Sequence, residues 1–176
     1  IKIEIGDRNG EGIAYGNLGS VFHSLGEYQK AKEYYEKALA IAIEIGDRNG
    51  EGKSNGDLGS VFYFLSDFQK AKEYHEKALA IMIEIGDRRG EGRIYGHLGD
   101  MFDSFGEYQK AKEYYEKALS IAVEISDRNG EGAGHLRLGF VYYNTLKKNR
   151  EAKEHFKKAV GIGTAISDRN LEAREI

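Results

Sequence analysis

The 176-residue sequence has no cysteine, no proline and no tryptophan. Without cysteine there is no disulfide scaffold, no thiolate zinc site and no thiol nucleophile. An excess of one charge is missing too. The 26 basic residues stand against 29 acidic ones, net −3, so no global field draws the chain to nucleic acid or to an anionic membrane. No apolar run approaches the roughly 20 residues that span a bilayer, and a cytoplasmic location is expected. There is no signal peptide and no initiator methionine. The chain opens in mid-pattern at Ile1-Lys2-Ile3-Glu4-Ile5-Gly6-Asp7-Arg8 and reads as a fragment of something longer. Glycine, by contrast, is plentiful: 23 residues, about 13% against roughly 7% in average proteins. That fraction suggests a linker, yet 40% of the residues are hydrophobic and 12 Tyr and 8 Phe are present, too apolar for a disordered tract.

An internal repeat accounts for the glycines. Gly-Asp-Arg starts at Gly6, Gly46 and Gly86, and Ser-Asp-Arg at Ser126, a period of 40 residues. A fifth copy, Ser167-Asp168-Arg169, comes one residue late because Thr145-Leu146-Lys147-Lys148 carries a one-residue insertion. Gly10–Asn49 differs from Gly50–Arg89 at 12 of 40 positions and from Gly90–Asn129 at 10. Of the 23 glycines, 20 fall in the six columns of Gly6, Gly10, Gly12, Gly16, Gly19 and Gly26. Repeats lie at about 7–46, 47–86, 87–126 and 127–167 of a single domain over 1–176, with partial flanking helices at 1–6 and 168–176.

Each unit reads as two helices. The first runs from about Arg8 to Leu25, with Tyr15, Leu18, Phe22 and Leu25 on one face. Asp7 is placed to cap it, Glu11 sits near its positive end, and Gly26 is a natural stop. The second runs from about Tyr28 to Ile45 with Tyr28, Ala31, Tyr35, Ala38, Ala42 and Ile45 on one stripe. Glu33/Lys37, Glu73/Lys77 and Glu113/Lys117 repeat at i,i+4 on its outer face. Asp47 then caps the next helix. No strand-like alternation occurs, so the fold class is all-α. One helix pair cannot bury both its faces, which implies stacking into a solenoid.

The columns resemble the tetratricopeptide repeats: an aromatic, Leu-Gly and an aromatic on the first helix, then Ala, an aromatic and Ala on the second. Here these are Leu18-Gly19, Leu58-Gly59, Leu98-Gly99 and Leu138-Gly139, followed by Phe22, Phe62, Phe102 and Tyr142. On the second helix they are Ala31, Ala71, Ala111 and Ala152, then Tyr35, His75, Tyr115 and Phe156, then Ala38, Ala78, Ala118 and Ala159. The period is 40 residues where the family has about 34. The family's proline is also missing, so the second helix continues through Ile41–Ile45. This longer variety looks like the repeats of Pins-type cell-polarity adaptors and, more distantly, kinesin light chains. The resemblance implies a right-handed superhelix whose first helices line a concave groove for an extended or helical peptide.

By that resemblance four first-helix columns face the groove. Column one is Ile13, Lys53, Arg93 and Ala133; column two is Gly16, Gly56, Gly96 and Leu136, beside Asn17, Asp57, His97 and Arg137. Column three is Ser20, Ser60, Asp100 and Phe140; column four is His23, Tyr63, Asp103 and Tyr143, beside Ser24, Phe64, Ser104 and Asn144. These columns hold most of the differences between near-identical repeats. Either they select a ligand or they drift as exposed positions do. Lys53 and Arg93 match the column where the relatives place a cation against an acidic peptide group, which a charge-assisted hydrogen bond would hold. Asp100 and Asp103 make the third repeat locally acidic. Phe140 and Tyr143 form an apolar anchor, or Phe140 covers a stacking interface. Glycine inside a helix costs about 1 kcal/mol against alanine. Close helix packing explains the Leu-Gly glycine, and a groove floor explains Gly16, Gly56 and Gly96.

Other signals fail. Asp7-x-Asn9-x-Glu11 opens like a calcium loop but puts Leu18 where a bidentate Glu is required. Gly10-x-Gly12 is not a dinucleotide fingerprint. The five histidines (His23, His75, His97, His135, His155) fall in different columns, none at i,i+4 from another. No nucleophile, cofactor or metal site is expected. Three roles follow: a non-catalytic scaffold binding a protein or peptide, without nucleic acid or membrane; a self-assembling array stacking head to tail, with Ile1, Ile3 and Ile5 as the tail of a second helix and Leu171 opening a first; or a regulatory segment of a larger signalling protein or enzyme.

Overall fold

In the computed structural model, the described residues comprise the backbone of 2–145 and 147–172 and the side chains of 8–145 and 147–167. Eight α-helices follow one another: α1 (Lys2–Ser24), α2 (Tyr28–Ile45), α3 (Arg48–Phe64), α4 (Phe68–Glu84), α5 (Arg88–Ser104), α6 (Tyr108–Glu124), α7 (Arg128–Phe140) and α8 (Asn149–Glu172). Among the described residues there is no strand. The chain divides into two compact units, Ile1–Gly90 and Glu91–Ile176. In the first, α1 packs on α2, α2 on α3 and α3 on α4; in the second, α6 packs on α7 and α7 on α8.

The absence of proline lets α2 run unbroken to Ile45. Gly46 then stops it at φ +72°, its N–H bonding back to Ile43. The same left-handed stop recurs at Gly26, Gly86 and Gly106, and serines hold it at Ser66 and Ser126. Asp87 and Asp127 cap α5 and α7 by accepting from the N–H of Gly90 and Gly130. Asp47 stands at the same place without that bond.

Some local expectations are corrected. Helix α1 begins at Lys2, so Asp7 lies inside it and not at its start. The joint at Ser167 lies inside α8, which runs on to Glu172. The side chains of Ile1, Ile3, Ile5 and Leu171 lie outside the described residues. The lysine of each of the expected i,i+4 pairs is drawn to an aromatic face: Lys37 sits over the rings of Tyr15 and Tyr34, Lys77 over that of Tyr74, and Lys117 over those of Tyr95 and Tyr114. The i,i+4 ion pairs among the described residues include instead Lys32–Glu36, Lys72–Glu76, Lys112–Glu116 and Arg150–Glu154. The extra residue of the fourth repeat is absorbed as one π-helical turn, Val141–Thr145, just after α7. Leu146 lies outside the described residues.

The core follows the columns. Ala31, Tyr35, Ala38, Ile41 and Ala42 of α2 meet Leu58, Val61 and Phe62 of α3 among the buried residues of the first unit. In the second unit Leu98, Tyr115, Leu138 and Ala152 hold the matching places. The Leu-Gly glycine lets the paired helices approach. A Cβ on Gly19 would lie 2.6 Å from the Tyr35 ring, and one on Gly139 2.6 Å from the Phe156 ring.

Candidate functional site

In the first unit, α1 and α3 stand over α2 and leave a cavity of about 500 Å³. Ile13, Gly16, Asn17 and Ser20 of α1 and Lys53 and Asp57 of α3 line it, with Ile41 and Ala42 of α2 among its apolar walls. Columns one to three of the first repeat and columns one and two of the second thus share one space. A Cβ on Gly16 would meet nothing within 4 Å, so the glycine opens the cavity and does not serve helix packing. Lys53 is exposed and makes no ion pair among the described residues. That sets it apart from Arg8, which holds Glu11 and Glu44, and from Arg48, which holds Glu51 and Glu84. Hydrogen bonding to these arginines lowers the carboxyl pKa of Glu44 and Glu84.

His23 and Tyr63 are elsewhere in that unit. They join an aromatic cluster in which Phe64 stacks on Tyr28 at 4.7 Å and is met edge-on by His23 at 5.2 Å and Tyr63 at 5.4 Å. Ser60 turns its hydroxyl back to the Gly56 carbonyl.

In the second unit, Arg137 of α7 grips Asp100 of α5 with two hydrogen bonds, Nε to Oδ1 at 2.8 Å and a terminal nitrogen to Oδ2 at 3.1 Å. The Tyr115 hydroxyl donates to the same carboxylate at 2.9 Å. Gly96 lies beside the pair, and a Cβ there would make an ordinary 3.7 Å contact with the guanidinium. Burial pushes the Tyr115 hydroxyl well above the usual phenol range, with Asp100 adding to it. Burial, then Asp100, likewise raises the carboxyl pKa of Asp103. Arg93 is exposed and makes no ion pair among the described residues; His97 is half-buried. Phe140 and Tyr143 come together at an apolar cavity of about 630 Å³, with Ala152, Phe156 and Val160 of α8 and two lysines, Lys153 and Lys157.

Column three proves coupled to the second helix. The Tyr35 hydroxyl donates to Ser20, the Tyr115 hydroxyl donates to Asp100, and Phe140 meets Phe156 edge-on at 5.2 Å. A polar residue faces a hydroxyl and an aromatic faces an aromatic.

One pair escaped the column reading. His135 of α7 and His155 of α8 bring their Nδ1 atoms to 2.9 Å, so one ring carries the shared proton and the other accepts it. Their separation of 20 residues crosses two different columns, so no local spacing shows it. Burial pushes both imidazoles below their usual value; Lys158 adds to this at His135, and His135 and then Lys158 add to it at His155. Among the described residues no group of three or more His, Asp or Glu could hold a metal ion, and no helix is long and apolar enough to cross a membrane.

Comparison with known proteins bears on this geometry. Models of the tetratricopeptide repeat match residues 12–42, 51–124 and 92–165. No curated protein matches the sequence. Among solved structures, BtubC from P. vanneervenii superposes with a TM-score of 0.76 at 24% identity, over 87% of this chain and 63% of that one. The Rap conjugation gene regulator of the plasmid pLS20, solved in complex with the Phr* peptide, superposes with a TM-score of 0.82 at 17% identity, over 94% of this chain and 45% of that one. A kinesin light chain-like protein of Podospora anserina with nearly identical repeats superposes with a TM-score of 0.70 at 20% identity, over 86% of this chain and 74% of that one. The chain therefore spans less than two thirds of the first two. These likenesses give the fold, an all-α solenoid.

Proposed function

Since the chain belongs to the tetratricopeptide-repeat family, whose repeats generally serve as interaction modules, we propose that it is a non-catalytic scaffold receiving a peptide segment of a partner protein in the cavity over α2. The observation that carries this reading is Lys53, an exposed ammonium without an ion pair, at the edge of a cavity walled by Ile13, Ile41 and Ala42. Such a place suits a ligand that offers a carboxylate beside an apolar side chain. Asn17 presents both an amide donor and an acceptor toward the same cavity, which suits a peptide backbone. That a structurally similar Rap regulator was solved with a peptide supports a peptide as the class of ligand.

In the second unit the groove columns are differently disposed. Arg137 is occupied by Asp100, so Arg93 is the cation left there for an acidic group. A screen of acidic and neutral peptides by fluorescence polarisation tests the reading. A charge-assisted hydrogen bond contributes about 1.5–3 kcal/mol, so Lys53→Glu should weaken an acidic hit by tenfold or more, at about 1.4 kcal/mol per decade. Unchanged affinity in a variant with an unchanged circular dichroism spectrum would remove Lys53 from the site.

A further inference from the structure

The repeat sets a glutamate at one place of its second helix, and the fourth copy lacks it. In the first unit Arg8 reaches from α1 to Glu44 of α2, through Nε at 3.2 Å and one terminal nitrogen. Arg48 of α3 holds Glu84 of α4 in the same way, Nε again at 3.2 Å. Each arginine turns its other terminal nitrogen to a glutamate one turn along its own helix, Glu11 or Glu51. Arg88, Glu91 and Glu124 keep these columns in the third repeat. In the fourth, Arg128 and Glu131 are kept, but Ala165 stands at the place of Glu44 and Glu84.

Arg128 holds Glu131 at 2.7 Å through one terminal nitrogen and makes no other hydrogen bond among the described residues. Its Nε and second terminal nitrogen, the pair that takes a carboxylate in the first two repeats, are open. Arg128 lines a cavity of about 570 Å³ between α6, α7 and α8 with Glu131, His135 and Lys158, walled by Leu119, Val123 and Ile162. Lys158 stands in the column of Lys37, but the two tyrosines that Lys37 covers are replaced by His135 and His155. In these columns Arg128 and Lys158 face Glu131 alone, one positive charge more than in the first two repeats, where two glutamates balance an arginine and a lysine. The opening does not come from a missing neighbour. Helix α3 packs on α2, yet Glu44 remains 54% exposed; α2 packs on α3, yet Arg48 remains 43% exposed. A hairpin on either side leaves this place in solvent, and what the fourth repeat lacks is a side chain.

We infer that this cavity binds a carboxylate carried on an apolar body, which Arg128 takes as Arg48 takes Glu84, with Lys158 as the second cation. The planar fork of an arginine fits two carboxylate oxygens side by side, and the repeat itself supplies the geometry. The apolar walls suit an acidic side chain next to an aliphatic one, or a small aliphatic acid. None of the lining residues belongs to the groove columns, so the site is separate from the one proposed around Lys53.

Nuclear magnetic resonance of the full chain tests it, with acetate and the capped dipeptide acetyl-Glu-Val-amide as probes. The Nε–H signal of Arg128 should shift saturably with either probe, and added salt should weaken the response. Arg128→Gln should weaken binding at least about fivefold. Because Arg128 also holds Glu131, the decisive variant is Ala165→Glu, which supplies the missing carboxylate from within the chain. Ala165 is exposed, so the helical circular dichroism should match the parent. The Arg128 signal of this variant should be shifted before any probe is added and should no longer respond to one. Tighter binding of the dipeptide than of acetate assigns the site to an acidic segment of a partner protein; equal binding assigns it to a free small carboxylate. Probe binding that survives Ala165→Glu overturns the inference. So does an equal response to chloride or inorganic phosphate, which would mark general attraction of counter-ions. Lys53 lies outside this cavity, so its peptide reading stands or falls separately.

Discussion

Two glycines three residues apart on α1 should respond in opposite directions to the same substitution. Gly16→Ala puts a methyl into open space, since nothing lies within 4 Å of the new Cβ. The helix gains the propensity difference of about 1 kcal/mol. Gly19→Ala gains the same term but drives its methyl to 2.6 Å from two atoms of the Tyr35 ring. That ring is buried and its hydroxyl is tied to Ser20, so it has little room to swing aside. Overpacking of this kind costs about 1–3 kcal/mol, which leaves the variant near neutral to about 2 kcal/mol less stable. The gap between the two variants is then roughly 1–3 kcal/mol. Urea titration followed by circular dichroism reads it, with hydrogen exchange of the α1 and α2 amides locating the change. A Gly19→Ala protein at least as stable as Gly16→Ala would refute the close-packing account of the Leu-Gly column. The first variant also bears on function, because its methyl enters the cavity: stability should rise while peptide affinity falls.

Ser66 and Ser126 hold the left-handed stops at φ +63° and +56° that glycine holds elsewhere. Ser126→Gly should relieve about 1–2 kcal/mol of strain, offset by roughly 0.4–1 kcal/mol of added freedom in the unfolded chain. A net gain of about 0.5–1 kcal/mol should show as a higher urea midpoint, and a lower midpoint contradicts the strain. The pair His135–His155 should make the last hairpin sensitive to acid. Burial and Lys158 depress both imidazoles, with His135 also acting on His155, against the opposing pull of Glu131, Glu116 and Glu154. A depressed pKa means that the unfolded chain binds more protons below about pH 6.5. Stability is therefore complete above that value and declines as pH falls through it toward the folded values. Protection of α7 and α8 amides, referred to the intrinsic exchange rate at each pH, should fall from about pH 7.5 to about pH 5.5, and His155→Gln should remove most of that slope.

The fold was legible because glycine and alanine columns are written directly in the repeat. Gly26, Gly46 and Gly106 stop helices where the columns put them, and Tyr28–Ile45 is helical over its whole expected length. The one-residue insertion was visible as a break in period, but not its π-helical form, which depends on Val141 staying buried while the chain absorbs an extra residue. Joints misread at Gly6 and Ser167 show what stops a helix in this chain. The same Ser-Asp-Arg that breaks between α6 and α7 is helical inside α8. The motif permits a turn without requiring one. Leu18 and Leu25 were placed on one helical face by period alone, yet both are exposed; Leu58, Leu98 and Leu138 are buried at the first of these places, whereas Leu65 and Phe105 are exposed at the second, so the Leu25 column is not a core column.

The site was legible only in part, because a column can vary for two physical reasons. Ser20, Asp100 and Phe140 vary, but each answers the residue opposite it: Tyr35, Tyr115 and Phe156. His75 stands in the tyrosine stripe of the second repeat, whose Ser60 bonds the Gly56 carbonyl just as Ser20 bonds the Gly16 carbonyl. Column three therefore contacts the second helix in the first, third and fourth repeats, although Ser20 and Asp100 differ while both face a tyrosine, and Asp100 is also held by Arg137 of the next hairpin. His23 and Tyr63 are similarly engaged with Phe64, and Arg137 with Asp100. Column one is different. Ile13, Lys53 and Arg93 are exposed, and neither cation has an ion pair among the described residues. No partner within the hairpins explains why an isoleucine, a lysine and an arginine should occupy equivalent places. An exposed apolar side chain and an unpaired ammonium on the rim of one cavity are what a ligand with an apolar side chain and a carboxylate would require, so specificity should reside in this column more than in the other three. Exchanging Ile13 and Lys53, as Ile13→Lys with Lys53→Ile, keeps composition and net charge and moves only the cation. If column one reads the ligand, the exchanged protein should fold unchanged and lose the acidic hit at least about tenfold, comparable with the loss of one charge-assisted bond. Equal affinity in isothermal titration would return the column to ordinary exposed drift.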